Sequence, residues 1–198
     1  MVLPLIAIVL TTIGCDSNRQ PAIMAPVADS VATSQPADND SAAIARQLEA
    51  ERQMVLDRVE GIFRVVKTTY MNNGHYVMDE SLDKTYCSKA WNKLLMAVRR
   101  KEEQTNTLFF EVDYWVMTHE LGVIGFEEFE VDSLTIGSDS TRRATVSYTV
   151  FDANSYVPAK IDLIVENGQW VIDNFYNLKY LRDARQSMRE YLVKDNLH

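Results

Sequence analysis

The chain predicts an α+β fold: helices packed on an antiparallel β-sheet, with a C-terminal helix. Three observations predict it. Up to about residue 104, apolar residues recur every three to four positions, which is one face of a helix. From about residue 126 onward, β-branched and aromatic runs are separated by short turns, and a helical pattern returns after Asn177. Helices first, strands next and one helix last do not alternate as a parallel βαβ fold would.

The third observation is the best-specified stretch, residues 160–176, where two β-rich runs flank Asn167-Gly168. Asn-Gly suits a two-residue type I′ hairpin turn, because both central residues must take positive φ. A straight register pairs Glu166 with Gln169, Val165 with Trp170, Leu163 with Ile172 and Ile161 with Asn174. Those form the core face, since side chains alternate along a strand. The other face then pairs Ile164 with Val171, Asp162 with Asp173 and Lys160 with Phe175. Two carboxylates opposite one another repel. Asp162 and Asp173 therefore read either as a cation-binding or proton-sharing acid pair or as two solvated acids on a wet sheet face. The second is favoured, because antiparallel sheets commonly leave one face to water.

In chain order, Ser41 is the expected N-cap of a long helix whose apolar face is Ile44, Leu48, Val55, Val59, Ile62, Phe63, Val66 and Tyr70. Asn72-Asn73-Gly74 stops it. Gly61, inside the helix, marks close packing or a bend. A short helical piece follows Ser81. Ser88 caps the next helix, which buries Trp91, Leu94, Leu95 and Val98 and ends in Arg99-Arg100-Lys101. In residues 108–117 the composition favours a strand, yet neither face is polar; lining a cavity or crossing under the sheet is the alternative. Residues 126–136 form a strand made acidic by Glu127, Glu128, Glu130 and Asp132, a composition that guards a sheet edge. Ala144, Val146, Tyr148 and Val150 alternate with Thr145, Ser147 and Thr149, the half-buried strand pattern. Residues 152–158 read as a loop. In the last helix Leu178, Leu181, Ala184, Met188 and Tyr191 or Leu192 face inward, while Arg182, Arg185 and Arg189 point away.

The 198 residues carry a formal net charge of −8, which argues against a nucleic-acid partner, whose phosphates would be repelled. Two cysteines, Cys15 and Cys87, give no zinc spacing and no disulfide framework. No metal or cofactor motif is present. Residues 1–15 read as a lipoprotein signal peptide: an apolar run too short for a comfortable transmembrane helix, ending in Thr12-Ile13-Gly14-Cys15. The ending resembles a bacterial lipobox, in which Cys15 is lipidated. Residues 16–40 lack aromatics and hold three prolines, so they read as a disordered linker that lets a domain at 41–198 stand off a membrane. Cys87 reads as a small buried hydrophobe.

Tyr86-Cys87-Ser88-Lys89 ahead of a helix, Asp113-Tyr114-Trp115, and the terminal strand Gln169-Trp170-Val171-Ile172-Asp173-Asn174-Phe175 together resemble the nuclear-transport-factor-two-like (cystatin-like) superfamily. The resemblance covers roughly residues 41–197. Within the superfamily the chain is similar to a bacterial lipoprotein family that carries a domain of unknown function. The resemblance implies a curved sheet wrapped around helices, enclosing a conical pocket. Some superfamily members are isomerases or dehydratases with an Asp–His pair in the cone; many others only bind. No catalytic residue is carried over, because fold alone does not confer function.

The expectation that follows is a lipid-anchored protein of the bacterial cell envelope with a non-catalytic binding domain. Its partner is the membrane through the lipid, plus a small apolar ligand or a protein. One alternative is an isomerase- or dehydratase-like enzyme. His119 is the acid/base there, with Asp113 or Glu120 orienting it, since apolar surroundings move a histidine's pKa. A histidine that merely caps a loop is the favoured reading of His119. Tyr114, Trp115 and His119 are the expected pocket residues. The other alternative is an immunity or accessory factor for a secreted protein.

Overall fold

A computed structural model describes residues 37–73, 80–110, 112–117, 123–152, 155–180 and 182–194. Among them are four helices: α1 (Ala37–Asn73), α2 (Glu80–Tyr86), α3 (Lys89–Thr105) and α4 (Ala184–Val193). Five strands, β1 (Ile124–Thr135), β2 (Arg143–Asp152), β3 (Ser155–Glu166), β4 (Gln169–Asn177) and β5 (Arg182–Asp183), form one antiparallel sheet in chain order. The sheet is curved and unclosed, so the α+β expectation holds.

The β3–β4 turn is the predicted one: Asn167 has φ 52° and Gly168 φ 74°. Beyond the turn the straight register fails. Leu163 still faces Ile172, but Asp162 faces Asn174 and Ile161 faces Phe175, with a shift between Asp162 and Leu163. Asp173 is thus the extra residue of a bulge, and Asp162 and Asp173 do not oppose one another. The slip brings Phe175, 1% exposed, into the core instead of leaving it on the outer face beside Lys160. Burying a phenylalanine side chain is worth about 2–3 kcal/mol, which favours the slip over straight pairing. Lys160 faces Tyr176 instead.

The core lies between the sheet and the helices. α1 contributes Val55, Val59, Ile62, Phe63, Val66 and Tyr70, and α3 contributes Trp91, Leu95 and Val98. β2 buries Ala144, Val146, Tyr148 and Val150, as their alternation predicts. Ser88 caps α3 as expected, its Oγ accepting from the Trp91 amide at 2.9 Å. The Ser88 amide donates to the Ile172 carbonyl at 2.8 Å, so the start of α3 is stitched to β4.

Several expectations need correction. α1 begins at Ala37, so Ser41 lies inside the helix and not at its cap. Extending a helix costs little once a turn exists. Every residue from 41 to 50 is exposed, Ile44 at 64% and Leu48 at 38%. The apolar stripe therefore outruns the body it packs on. Gly61 marks no close packing: a Cβ there would meet nothing within 4 Å. Arg99-Arg100-Lys101 sits a turn before the end of α3, which continues to Thr105 and closes on Asn106 at φ 52°. Residues 155–158 belong to β3, Pro158 facing Thr149. Arg182 lies in β5, and Arg185 turns back to pair with Asp173. β1 is a sheet edge, as its acids suggested; register shifts interrupt it, and Glu128 there has φ 58°.

Candidate functional site

Residues 108–117 are not a strand. Residues 114–116 form a turn and Asp113 to Met117 are all buried, so the cavity-lining alternative holds. Asp113 organises this turn. Its Oδ1 accepts from the Trp115 amide at 2.7 Å, its carbonyl accepts from the Met117 amide at 2.7 Å, and Tyr70 on α1 donates to Oδ2 at 2.5 Å. These bonds hold Met117 at φ 54°, a left-handed conformation that costs on the order of 1 kcal/mol for such a side chain. Asp113 is 1% exposed. Burial raises its pKa to about 6, against the pull of the Tyr70 hydroxyl and the Trp115 and Val116 amides; the charge of Asp83 adds to the rise.

Asp83, on α2, anchors the same turn from behind. Its Oδ2 accepts from the Tyr114 hydroxyl at 2.6 Å, and its Oδ1 from the indole N–H groups of Trp91 and Trp115, each at 3.3 Å. The Cys87 thiol donates to Oδ1 at 3.6 Å. Burial raises the Asp83 pKa, although all four donors favour the charged form. Burial and the neighbouring Asp83 charge push the Cys87 thiol well up, so it stays protonated. Around this carboxylate the rings of Trp91, Tyr114, Trp115 and Phe175 pack with centroids 4.9–6.3 Å apart. Sequence reasoning missed Asp83. The signal was there: indole and phenol groups that are buried need an acceptor, and three of them share one.

The bulge in β4 builds the opposite wall. Asp173 accepts from the Ser88 hydroxyl at 2.6 Å and from the Arg185 guanidinium. Asn174 donates to Asp183 at 2.9 Å and accepts from the Arg185 amide at 3.0 Å. Two successive residues thereby hold the start of α4, which Asp183 caps by accepting from the Gln186 amide at 2.9 Å. Asp162 is a separate sheet-face acceptor, bonded by Thr145 at 2.8 Å and Tyr176 at 2.6 Å.

Between the turn and α4 lies a pocket of about 320 Å³. Phe109, Phe110, Met117 and Phe175 supply apolar walls; Asn177, Tyr180, Arg182 and Ser187 supply polar ones. Its size is at the small end of ligand sites, which run from about 300 to 1,000 Å³. Of the residues expected to form a pocket, Tyr114 lines it, while Trp115 is not among the described lining residues; Asp113 lines it too. His119 and Glu120 lie outside the described residues, as does Cys15. A wider groove of about 900 Å³ runs over α2, α3 and the β3–β4 turn. Its walls mix Lys89, Lys93 and Arg100 with Glu80, Glu103 and Glu166, so it presents no dominant charge.

The chemistry of the pocket follows from which groups are already engaged. Asp83 and Asp113 each have both carboxylate oxygens bonded by residues of this chain. They act as acceptors that fix the fold of the wall. Among the described residues no cluster of His, Cys, Asp and Glu suits a metal ion, and no helix is long and apolar enough to cross a membrane. No protein-family model matches the chain, and no curated protein matches it.

Proposed function

We propose that this chain is a lipid-anchored binding module of the bacterial cell envelope that takes a small, mainly apolar molecule into the pocket between residues 109–117 and α4. One observation carries the reading: four large apolar side chains line an open space of about 320 Å³. Protein interiors are close-packed, so a space of this size with apolar walls and polar groups at one side is what a ligand site looks like. The lipid anchor at Cys15 and the envelope location rest on the sequence of residues 1–40. The nuclear-transport-factor-two-like kinship is proposed with them, on the curved sheet and the pocket beside it.

Mass spectrometry of small molecules that co-purify with the full chain tests the proposal. The expected result is one apolar compound near one equivalent, lost in a Ser187→Trp variant whose indole would occupy the pocket. A compound retained by that variant, or turnover of any substrate that disappears in Asp113→Asn, would count against it.

A further inference from the structure

The pocket has apolar walls on one side, and Arg182 is the cation among its described lining residues. The segment from Asn177 to Arg182 holds Lys179 and Arg182 and no acid, in a chain whose net charge is −8. Arg182 lines the pocket from the two-residue strand β5, and its guanidinium makes no hydrogen bond or ion pair among the described residues. The contrast with its neighbours is informative. Arg185 is paired with Asp173, and Asp183 is engaged by Asn174 and the Gln186 amide. Arg182 alone of these three charged residues keeps its full donor capacity. The Ser187 hydroxyl, also on the pocket wall, has no partner among the described residues either. The Lys179 ammonium lies 5.6 Å from the centre of the Tyr180 ring, and Tyr180 also lines the pocket. Asp113 also lines the pocket, and its carboxylate accepts from the Tyr70 hydroxyl and the Trp115 amide within the wall.

Resting on the binding reading above, we infer that the ligand is an amphipathic acid: an acyl or aryl body lying against Phe109, Phe110, Met117 and Phe175, with a carboxylate at the rim held by Arg182 and Ser187. The planar guanidinium matches a carboxylate through two parallel N–H···O bonds, which a neutral hydroxyl cannot accept in the same way. The apolar body supplies most of the affinity through burial, and the arginine supplies the discrimination.

Calorimetric titration of the full chain with decanoate, decanol and decyltrimethylammonium separates the two levels of the argument. The expected order is decanoate tightest, about tenfold tighter than decanol, with the cation weakest. Arg182→Gln should bring decanoate to within about twofold of decanol. Arg182 is exposed, so the variant keeps the core intact. Decanol and decanoate binding equally, or Arg182→Gln changing neither, overturns the carboxylate inference and leaves the apolar pocket standing. If none of the three probes binds, or if Ser187→Trp fails to block them, the pocket reading falls and the inference with it.

Discussion

Replacing Asp83 with alanine is expected to lower folding stability by about 4 kcal/mol, the largest single effect the structure implies outside truncation of the hydrophobic core. The reason is the number of groups that depend on one carboxylate. Tyr114, Trp91 and Trp115 each donate to it, and α2, α3 and the 109–117 turn are joined through it. Each donor left buried without an acceptor costs about 1–3 kcal/mol, and partial relaxation returns some of that. Asp83→Asn separates charge from acceptor. It keeps one carbonyl oxygen for the two indoles and should cost about half as much. Urea denaturation measures both. A loss below about 1 kcal/mol for the alanine variant would mean that the aromatic donors find other acceptors.

The second large effect is a pH dependence carried by Asp113. Burial lifts its pKa from the ordinary 3.8 to about 6 in the folded chain. Below about pH 4 the group is protonated in both states and contributes nothing adverse. Between about 4 and about 6 the folded chain holds a proton that the unfolded chain has released, so stability falls as pH rises, and the fall ends above about 6. At 1.36 kcal/mol per pH unit the change amounts to about 3 kcal/mol. Asp83, whose pKa burial also raises, acts in the same direction. Asp132 acts oppositely. Burial is the largest single influence and raises it, but the hydrogen bonds from Lys160 and Ser147 and the Lys160 charge together outweigh burial and hold it below the ordinary range. Its contribution is therefore lost as pH falls. Comparison with Asp113→Asn removes that background. The wild-type chain should lose about 2 kcal/mol more than the variant between pH 4 and pH 7, measured by thermal or urea unfolding at each pH. Parallel curves would show that Asp113 is solvated and not buried.

What the sequence made legible was local. Asn167-Gly168 specifies its turn because positive φ is a property of those two residues. Ser88 specifies the start of α3 because its hydroxyl needs only an amide three residues on. The alternation in β2 specifies its buried face because one strand carries the whole signal. The features that build the pocket are not local. The bulge at Asp173 exists because Phe175 gains a core position against Ile161, and no pattern within β4 announces that partner. The role of Asp83 depends on three aromatic residues eight to thirty-two positions away. Ile44 and Leu48 continue the stripe of α1 faultlessly, yet they are exposed. Asp113 and Tyr114 were found as candidates because acids and aromatics crowd together there. The helical spacing of Arg182 with Arg185 and Arg189 predicts an outward helix face, but Arg182 belongs to β5 and lines the pocket.

Methionine provides the most direct test of the binding reading, because its methyl groups report on separate places in the fold. Met117 lines the pocket, Met188 on α4 is fully buried, and Met96 is 58% exposed on α3. In a chain labelled with carbon-13 at the methionine methyl groups, titration with decanol should move the Met117 resonance progressively to saturation and leave Met96 unmoved. Saturable movement of Met96 with Met117 unchanged would place any ligand on the outer groove and contradict the account.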